Sequence, residues 1–115
     1  MYADIKEADG IVAGFPIYFA GINGQSKQWI DRLFPMIASD FSPRYPGKKA
    51  VTVYAQGNSN EQAFKAAIGA NDSLFKMFGW QIVDSILSCG SNDPQHVLSQ
   101  DLMDRAYETG RQLVK

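Results

Sequence analysis

The chain has 115 residues, a formal net charge of −1, 45% hydrophobic residues and 20% charged residues, which is ordinary for a globular domain with one core. It has no surplus of basic residues for nucleic acid or anionic lipid, no apolar run long enough to cross a bilayer and no signal-peptide pattern, so we expect a cytoplasmic protein. Its single cysteine, Cys89, excludes an internal disulfide, and with only His96 beside it a zinc site is not expected.

The first part of the chain predicts a helix, a strand and a second helix. Residues 1–9 have apolar side chains at helical spacing, and Gly10 ends that pattern. Residues 11–15, IVAGF, form a continuous apolar run, which is typical of a strand buried on both faces. Asn23 is a suitable N-cap for the next helix. The buried stripe of that helix consists of Ile30, Leu33, Phe34 and Ile37.

The second half of the chain predicts two more strands. Residues 50–55, AVTVYA, and residues 80–88, WQIVDSILS, are rich in β-branched and aromatic residues. All three strands alternate with helices, which favours a parallel sheet covered by helices and connected by right-handed crossovers. We therefore predict an α/β fold with a three-stranded parallel sheet in a single domain, residues 1–115.

Two more helices are predicted in this half. A capping-box pattern in residues 59–62 marks the beginning of one helix, and Gly79 is a good terminator for it. The polar pair Asn71-Asp72 interrupts its apolar side, so we expect the helix to bend or break near Gly69. The last helix is predicted over residues 95–114.

Three glycine-containing loops follow the predicted strands and are expected to meet at one edge of the sheet. They are FPIYFAGING after the first strand, QGNSN after the second and CGSNDP after the third. Open α/β sheets bind ligands outside the carboxyl ends of their strands. Aromatic side chains at such an edge can cover a flat ring, and glycine lets the backbone approach it closely. The loops therefore predict a site for a planar ligand rich in heteroatoms.

The stretch ADGIVAGFPIYFAGINGQSKQWIDRL resembles the NADPH-dependent FMN reductase family, especially its flavodoxin-like branch that contains iron–sulfur flavoproteins. The family pattern is an apolar strand, Ser-Pro-Val-Tyr-Phe, a Gly-Gln turn, Lys, and then Ile-Asp-Arg. The matching residues are Pro16, Ile17, Tyr18, Phe19, Gly24, Gln25, Lys27, Ile30, Asp31 and Arg32. Weaker similarity continues through YAQGNSNEQAFKAAI and FGWQIVDSI, so the resemblance covers nearly the whole chain and implies a flavodoxin-like fold.

The resemblance also implies an FMN site. In the family, the Pro-Ile-Tyr-Phe segment wraps the isoalloxazine ring, so the expected flavin contacts in this chain are Pro16, Ile17, Tyr18 and Phe19. The residues expected on the pyrimidine side of the ring are Ala55, Gln56, Gly57 and Asn58. The implied function is that of an oxidoreductase in which NAD(P)H, as co-substrate, reduces FMN or reduces an acceptor through FMN. No catalytic side chain and no metal ligand is expected.

The sequence departs from the family pattern in two ways. Phe15 stands where the family usually has Ser or Thr. The family's first strand, its phosphate-binding loop and helix, and its second strand have no counterpart here, and the Cys cluster of the iron–sulfur flavoproteins is absent. Since that loop holds the FMN phosphate at a helix N-terminus, we expect weak FMN binding or a site shared between subunits. The alternatives are a degenerate flavodoxin-like dimerisation module or a truncated gene product without flavin activity.

The missing first strand also predicts a partner. In the family it lies beside the strand that corresponds to residues 11–15, so this apolar strand is expected to have an open edge, which promotes association. We predict a homo-oligomer that covers this edge by strand pairing or by exchange of an element. Alternatively, the natural protein is longer and Met1 is an internal methionine. Neither nucleic acid nor a membrane is expected as a partner.

Overall fold

A computed structural model describes residues 1–97 and 99–115, without the side chains of His96 and Val97. The strands are β1 (Gly10–Tyr18), β2 (Gly21–Ile22), β3 (Lys49–Ala55) and β4 (Gln81–Ser88). The helices are α1 (Tyr2–Glu7), α2 (Gly24–Asp31), α3 (Lys65–Met77), α4 (Pro94–Val97) and α5 (Gln100–Leu113), and a single 3₁₀ turn spans Phe34–Met36. None of the helices in this part of the chain combines the length and apolar character that crossing a membrane requires.

The sheet has the strand order β2-β1-β3-β4. β1, β3 and β4 are parallel to one another, which confirms the predicted three-stranded parallel sheet. β2 adds a two-residue antiparallel strand that pairs only with Ile17 and Tyr18 of β1. The hairpin was not predicted because its two connecting residues, Phe19 and Ala20, lack the Asn-Gly type of sequence that usually marks so tight a turn.

The apolar core lies on one face of the sheet, under α2 and α3. β1 contributes alternate residues to it, whereas Val12 and Gly14 on the opposite face are exposed. The expectation that this strand is buried on both faces is therefore wrong. α5 covers β3 and β4 on that second face and approaches β1 at Gly10, where a Cβ would lie 3.0 Å from Leu113. The remainder of the second face of β1 is open.

α3 is one continuous helix, so the predicted break near Gly69 does not occur. Its polar pair faces the sheet, and both side chains form hydrogen bonds there, although Asn71 Oδ1 has no partner among the described residues. Asp72 accepts hydrogen bonds from the hydroxyls of Thr52 at 2.8 Å and Tyr54 at 2.6 Å. Asn71 donates to the Tyr54 hydroxyl at 2.8 Å. Because the buried Asn71 and the half-buried Asp72 both bond to side chains of the sheet, the pair does not interrupt the helix.

The predicted helix boundaries agree in part with the structure. The side chain of Asn23 caps α2, and Gly79, with a φ of +75°, follows the end of α3. α3 begins at Lys65, later than the capping-box pattern predicts, because residues 61–64 form a turn. In place of the single predicted last helix the structure has α4 and α5, and Leu98 between them lies outside the described residues.

Asp84 joins β4 to α5. Arg105 donates to both of its carboxylate oxygens, at 2.6 Å and 2.9 Å, and the Thr109 hydroxyl donates to one of them at 2.9 Å. The hydrogen bond from Arg105 is the largest cause that lowers the pKa of Asp84 below its ordinary value. The charged form of this carboxylate therefore stabilises the contact between the helix and the sheet.

We expect Asp84→Asn to lower the free energy of unfolding at neutral pH by about 1 kcal/mol, a moderate value because Arg105 is half exposed. Since the folded-state pKa lies below the unfolded value of about 3.9, this stabilisation is present above that value and is lost as the pH falls through the folded-state pKa. Thermal unfolding at several pH values should show the wild type and the variant converging below about pH 4. Asp101→Asn, an exposed change on the same helix, is the control, and a difference that persists undiminished in acid would contradict this role of Asp84.

Candidate functional site

A cavity of about 570 Å³ lies at the carboxyl ends of β1 and β3. It is lined by Pro16, Ile17, Tyr18, Phe19, Ala55, Gly57, Ser91 and Asn92. Small-molecule sites usually have volumes of about 300–1,000 Å³, and this edge of a parallel sheet is where open α/β folds bind ligands. The three loops that were expected to meet at one edge therefore form a cavity of suitable size.

The hairpin between β1 and β2 presents two aromatic side chains beside the cavity. Its connecting residues Phe19 and Ala20 have φ values of +49° and +69°, a left-handed conformation that costs residues other than glycine about 1–2 kcal/mol each. The side chain of Phe19 is fully exposed and that of Tyr18 is 61% exposed, so neither contributes to the core. Strained backbone that holds exposed aromatic residues at a cavity is a feature of binding sites.

Gln56 supports the loop after β3 from inside the protein. Its side chain is buried, and its Nε2 donates to the backbone oxygens of Asn58 and Asn60, both at 2.9 Å. The Asn58 side chain accepts a hydrogen bond from the backbone N–H of Asn60 at 2.8 Å. Six of the eight predicted contact residues thus line the cavity, whereas Gln56 and Asn58 shape the loop behind it. Contact of these residues with a flavin stays a prediction.

Ser91 and Asn92 line the cavity but were not predicted as site residues. The backbone N–H of Ser91 donates to the carbonyl of Gln56 at 2.9 Å, which joins the loop after β4 to the loop after β3. Asn92 packs against Gly57, where a Cβ would lie 3.0 Å from its Nδ2. Gly57, two residues after the end of β3, was the available signal, since a glycine permits this close contact between loops.

The cavity lining has no charged residue among the described positions. Cys89, directly after β4, is half-buried, and burial, followed by the charge of Glu61, raises the pKa of its thiol. The thiol therefore stays protonated at neutral pH and is a poor nucleophile. Two buried acceptors at the ends of β3 and β4, Gln56 Oε1 and Ser88 Oγ, have no hydrogen-bond partner among the described residues. The site can hold a flat, weakly polar molecule, and its described lining contains no carboxylate, imidazole or ammonium group.

A second cavity, of about 350 Å³, lies between α2, the 3₁₀ turn and α3. Its walls are mostly apolar and include Phe34, Phe41 and Met77. Its two charged lining residues, Lys27 and Asp31, are paired with each other. Since no polar group remains to orient a small molecule, we assign no ligand to this cavity.

Comparison with known proteins identifies sequence relatives. Residues 2–110 match the sequence profile of a family described as having a flavodoxin-like fold. An iron–sulfur flavoprotein of Methanocaldococcus jannaschii is 31% identical to this chain over 90 residues, which cover 78% of this chain and 42% of that protein. The chain therefore spans less than half the length of this curated relative.

Solved structures resemble the chain over most of its length. An apo NADH:FMN oxidoreductase superimposes with a TM-score of 0.68 and 20% identity, covering 94% of this chain and 53% of the other. An azoreductase from Bacillus anthracis str. Sterne superimposes with a TM-score of 0.63 and 21% identity, covering 97% of this chain and 61% of the other. At these identities the likeness shows a shared fold.

Proposed function

We propose, because this chain belongs to the flavodoxin-like fold family, that it is an oxidoreductase domain that binds the isoalloxazine ring of FMN. The observation that carries the proposal is the cavity at the carboxyl ends of β1 and β3, bordered by the strained aromatic hairpin. A fold does not by itself assign a function, so the proposal depends on this site. A cytoplasmic location is part of it.

The names of the similar proteins support this proposal, because each refers to a flavin or to a reduction reaction. They are an iron–sulfur flavoprotein, an NADH:FMN oxidoreductase and an azoreductase, each longer than this chain. A bound flavin supplies the hydride and electron transfer, while the protein positions the ring and sets its surroundings. On the same basis we propose NAD(P)H as the source of hydride.

The residues that line the cavity suit distinct parts of this task. Tyr18 and Phe19 would supply aromatic contact with the ring, and the missing side chain of Gly57 lets Asn92 pack beside the cavity. Ser91 and Asn92 would supply hydrogen-bonding groups for the polar rim of the ring. We assign no acid or base to the cavity, because its described lining contains no carboxylate, imidazole or ammonium group.

The same lining does not fit the phosphate of FMN. A phosphate dianion is held by cationic side chains or by the N–H groups at a helix N-terminus, and the lining residues include no Lys or Arg. We therefore propose that the chain by itself recognises the ring system and not the phosphate.

This proposal predicts similar affinities for lumiflavin, riboflavin and FMN. Titration of the purified protein, followed by flavin fluorescence and absorbance, should give dissociation constants within about threefold of one another, a difference below 1 kcal/mol. A constant for FMN tenfold lower than that for riboflavin would show a phosphate site that the cavity lining does not contain. No binding of any flavin at high micromolar concentration would contradict flavin binding itself and favour an interaction module.

We expect Tyr18→Ala to weaken flavin binding about two- to twelvefold, because the contact of one aromatic face with a ring contributes about 0.5–1.5 kcal/mol. Tyr107→Ala is the matched control, since Tyr107 is exposed to a similar extent on α5 and does not line the cavity. Both variants should keep the unfolding midpoint of the wild type because neither side chain is in the core. Equal affinities of the two variants for riboflavin would argue against the hairpin as part of the site.

A further inference from the structure

The outer edge of β1 is unpaired over most of its length. On its inner side β1 pairs with β3 from Gly10 to Pro16. In the part of the chain that the structure describes, its outer side pairs only with β2, at Ile17 and Tyr18. No described residue pairs with the outer side of residues 10–16. A strand edge of this kind presents a row of free backbone groups to solvent.

The alternation of the ladder identifies the free groups. The carbonyl of Asp9 accepts a hydrogen bond from the N–H of Lys49 at 3.0 Å, so the N–H and C=O of odd-numbered residues in β1 face β3. Those of even-numbered residues face outward, and the pairing of Tyr18 with Gly21 on that side agrees with this alternation. Pro16 also faces outward but has no N–H. The free outward amides belong to Gly10, Val12 and Gly14.

β4, at the other edge of the sheet, differs from β1 in ways that discourage pairing. The register between β3 and β4 shifts at Ala50/Val51, which leaves Val83 as an extra residue, and the charged Asp84 follows it. Bulges and charges on an edge strand oppose association with another chain. β1 has a regular register and no charged residue, and its central Val12 is 63% exposed.

A groove accompanies the open edge. It has a volume of about 460 Å³ and lies between residues 12–16 of β1 and α2. The α2 side is lined by Asn23, Gln25, Ser26 and Trp29. A strand edge on one wall and a helix on the other is an arrangement that accepts an added β-strand, with backbone hydrogen bonds as the main attraction.

We propose that a second copy of this chain occupies this edge, with the two β1 strands antiparallel about a twofold axis at Val12. In this register Val12 lies opposite its own counterpart, and Gly10 lies opposite the partner's Gly14. All three free amides then find a carbonyl among the same three residues of the other copy. The edge is thus complementary to itself, which is the condition for a closed twofold dimer.

Two other registers satisfy fewer backbone groups. With the axis at Ala13, Pro16 of one copy lies opposite Gly10 of the other. The Gly10 carbonyl then has no donor, because proline has no N–H. With the axis at Gly10, Val12 lies opposite Ala8, whose N–H is already bonded to the Asp4 carbonyl at 2.9 Å. The axis at Val12 places Pro16 just outside the ladder.

The first test removes the central outward amide. Val12→Pro leaves the ladder with β3 intact because this N–H does not face β3, and Pro16 already occupies an equivalent position. We expect the wild type to sediment as a dimer of twice 12.7 kDa and Val12→Pro as a monomer with an unchanged circular dichroism spectrum. Val12→Thr, which keeps both the amide and the β-branch, is the control and should remain dimeric. If Val12→Pro does not fold, Val12→Lys tests the same contact by placing two like charges opposite each other.

The second test reads the register by disulfide formation in a Cys89→Ser background. In the proposed register the two Val12 residues form a hydrogen-bonded antiparallel pair. The Cα atoms of such a pair lie about 5.5 Å apart, a separation that suits a disulfide. We expect oxidation to convert Val12→Cys into a covalent dimer. Gly14→Cys is the control, because a side chain there meets nothing within 4 Å and the two copies are offset by four residues, about 13 Å.

Several results would overturn the proposal. They are a wild-type monomer at high micromolar concentration, a dimer that Val12→Pro leaves intact, and stronger cross-linking by Gly14→Cys than by Val12→Cys. Oligomers that keep growing with concentration would also overturn it, since a twofold contact closes at two copies. So would a monomer whose outward amides resist hydrogen exchange, since another segment would then cover the edge. These experiments are made without added flavin. A failure of flavin binding would therefore leave their results unchanged.

Discussion

Replacing Phe75 with alanine is expected to lower the free energy of unfolding by about 3–5 kcal/mol. Its side chain is fully buried, and its ring centroid lies 6.0–6.3 Å from those of Phe15, Trp29, Phe78 and Trp80. The substitution removes the ring through which α3 contacts both β1 and the start of β4. It also leaves a cavity that large aromatic neighbours cannot fill without moving. Since domains have a total stability of about 5–15 kcal/mol, this variant is expected to be close to unfolding.

Urea unfolding followed by circular dichroism measures this effect, with all proteins at one concentration so that association does not alter the comparison. Phe34→Ala is the matched control, because Phe34 is 67% exposed and its removal should cost less than about 1 kcal/mol. A loss for Phe75→Ala no larger than that of the control would contradict the packing of α3 against the sheet.

Replacing Gly79 with alanine is expected to destabilise the protein by about 2–4 kcal/mol, since two separate effects oppose a side chain there. The φ of Gly79 is +75°, a conformation that alanine rarely adopts. A Cβ at this position would also lie 2.7 Å from Pro46 Cβ and 3.1 Å from Pro43 Cγ. Both neighbours are proline ring atoms and cannot rotate away, so the backbone between α3 and β4 would have to shift.

Replacing Gly69 with alanine is expected to stabilise the protein, in contrast to the same substitution at Gly79. Gly69 lies on the exposed side of α3, and a Cβ there meets no heavy atom within 4 Å. Alanine in the interior of a helix is more stable than glycine by about 0.5–1 kcal/mol. Thermal unfolding should therefore show a lower midpoint for Gly79→Ala and a higher one for Gly69→Ala. A neutral result at Gly79 would contradict the positive φ of that turn.

The candidate site was predictable in its position and its aromatic residues, but not in its full lining. The carboxyl ends of parallel strands meet at one edge, so Tyr18, Phe19 and Gly57 were expected to be neighbours, and they line one cavity. Gln56 follows β3, as Gly57 does. Its side chain is nevertheless buried under the loop, because its amide nitrogen donates hydrogen bonds to two backbone carbonyls. The direction of a side chain at the end of a strand depends on loop contacts that no local pattern contains.

The sequence by itself determined the three parallel strands, their alternation with helices, the cap at Asn23 and the terminating Gly79. These features follow from short-range rules, namely hydrophobic periodicity, helix capping and the backbone freedom of glycine. The family too was evident from the sequence, because its motif is a contiguous stretch around Pro16–Phe19.

Only the tertiary structure decided that β1 is covered on one face, that α3 continues through Asn71 and Asp72, and that three amides of β1 face outward. An apolar run reveals that a strand can be buried, but burial itself depends on the elements that pack over the strand. Likewise, a polar pair on the buried side of a helix is tolerated where other residues offer hydrogen bonds. Here Thr52 and Tyr54, which are distant in the sequence, form those hydrogen bonds. Such outcomes depend on contacts between distant residues, which exist only once the chain has folded.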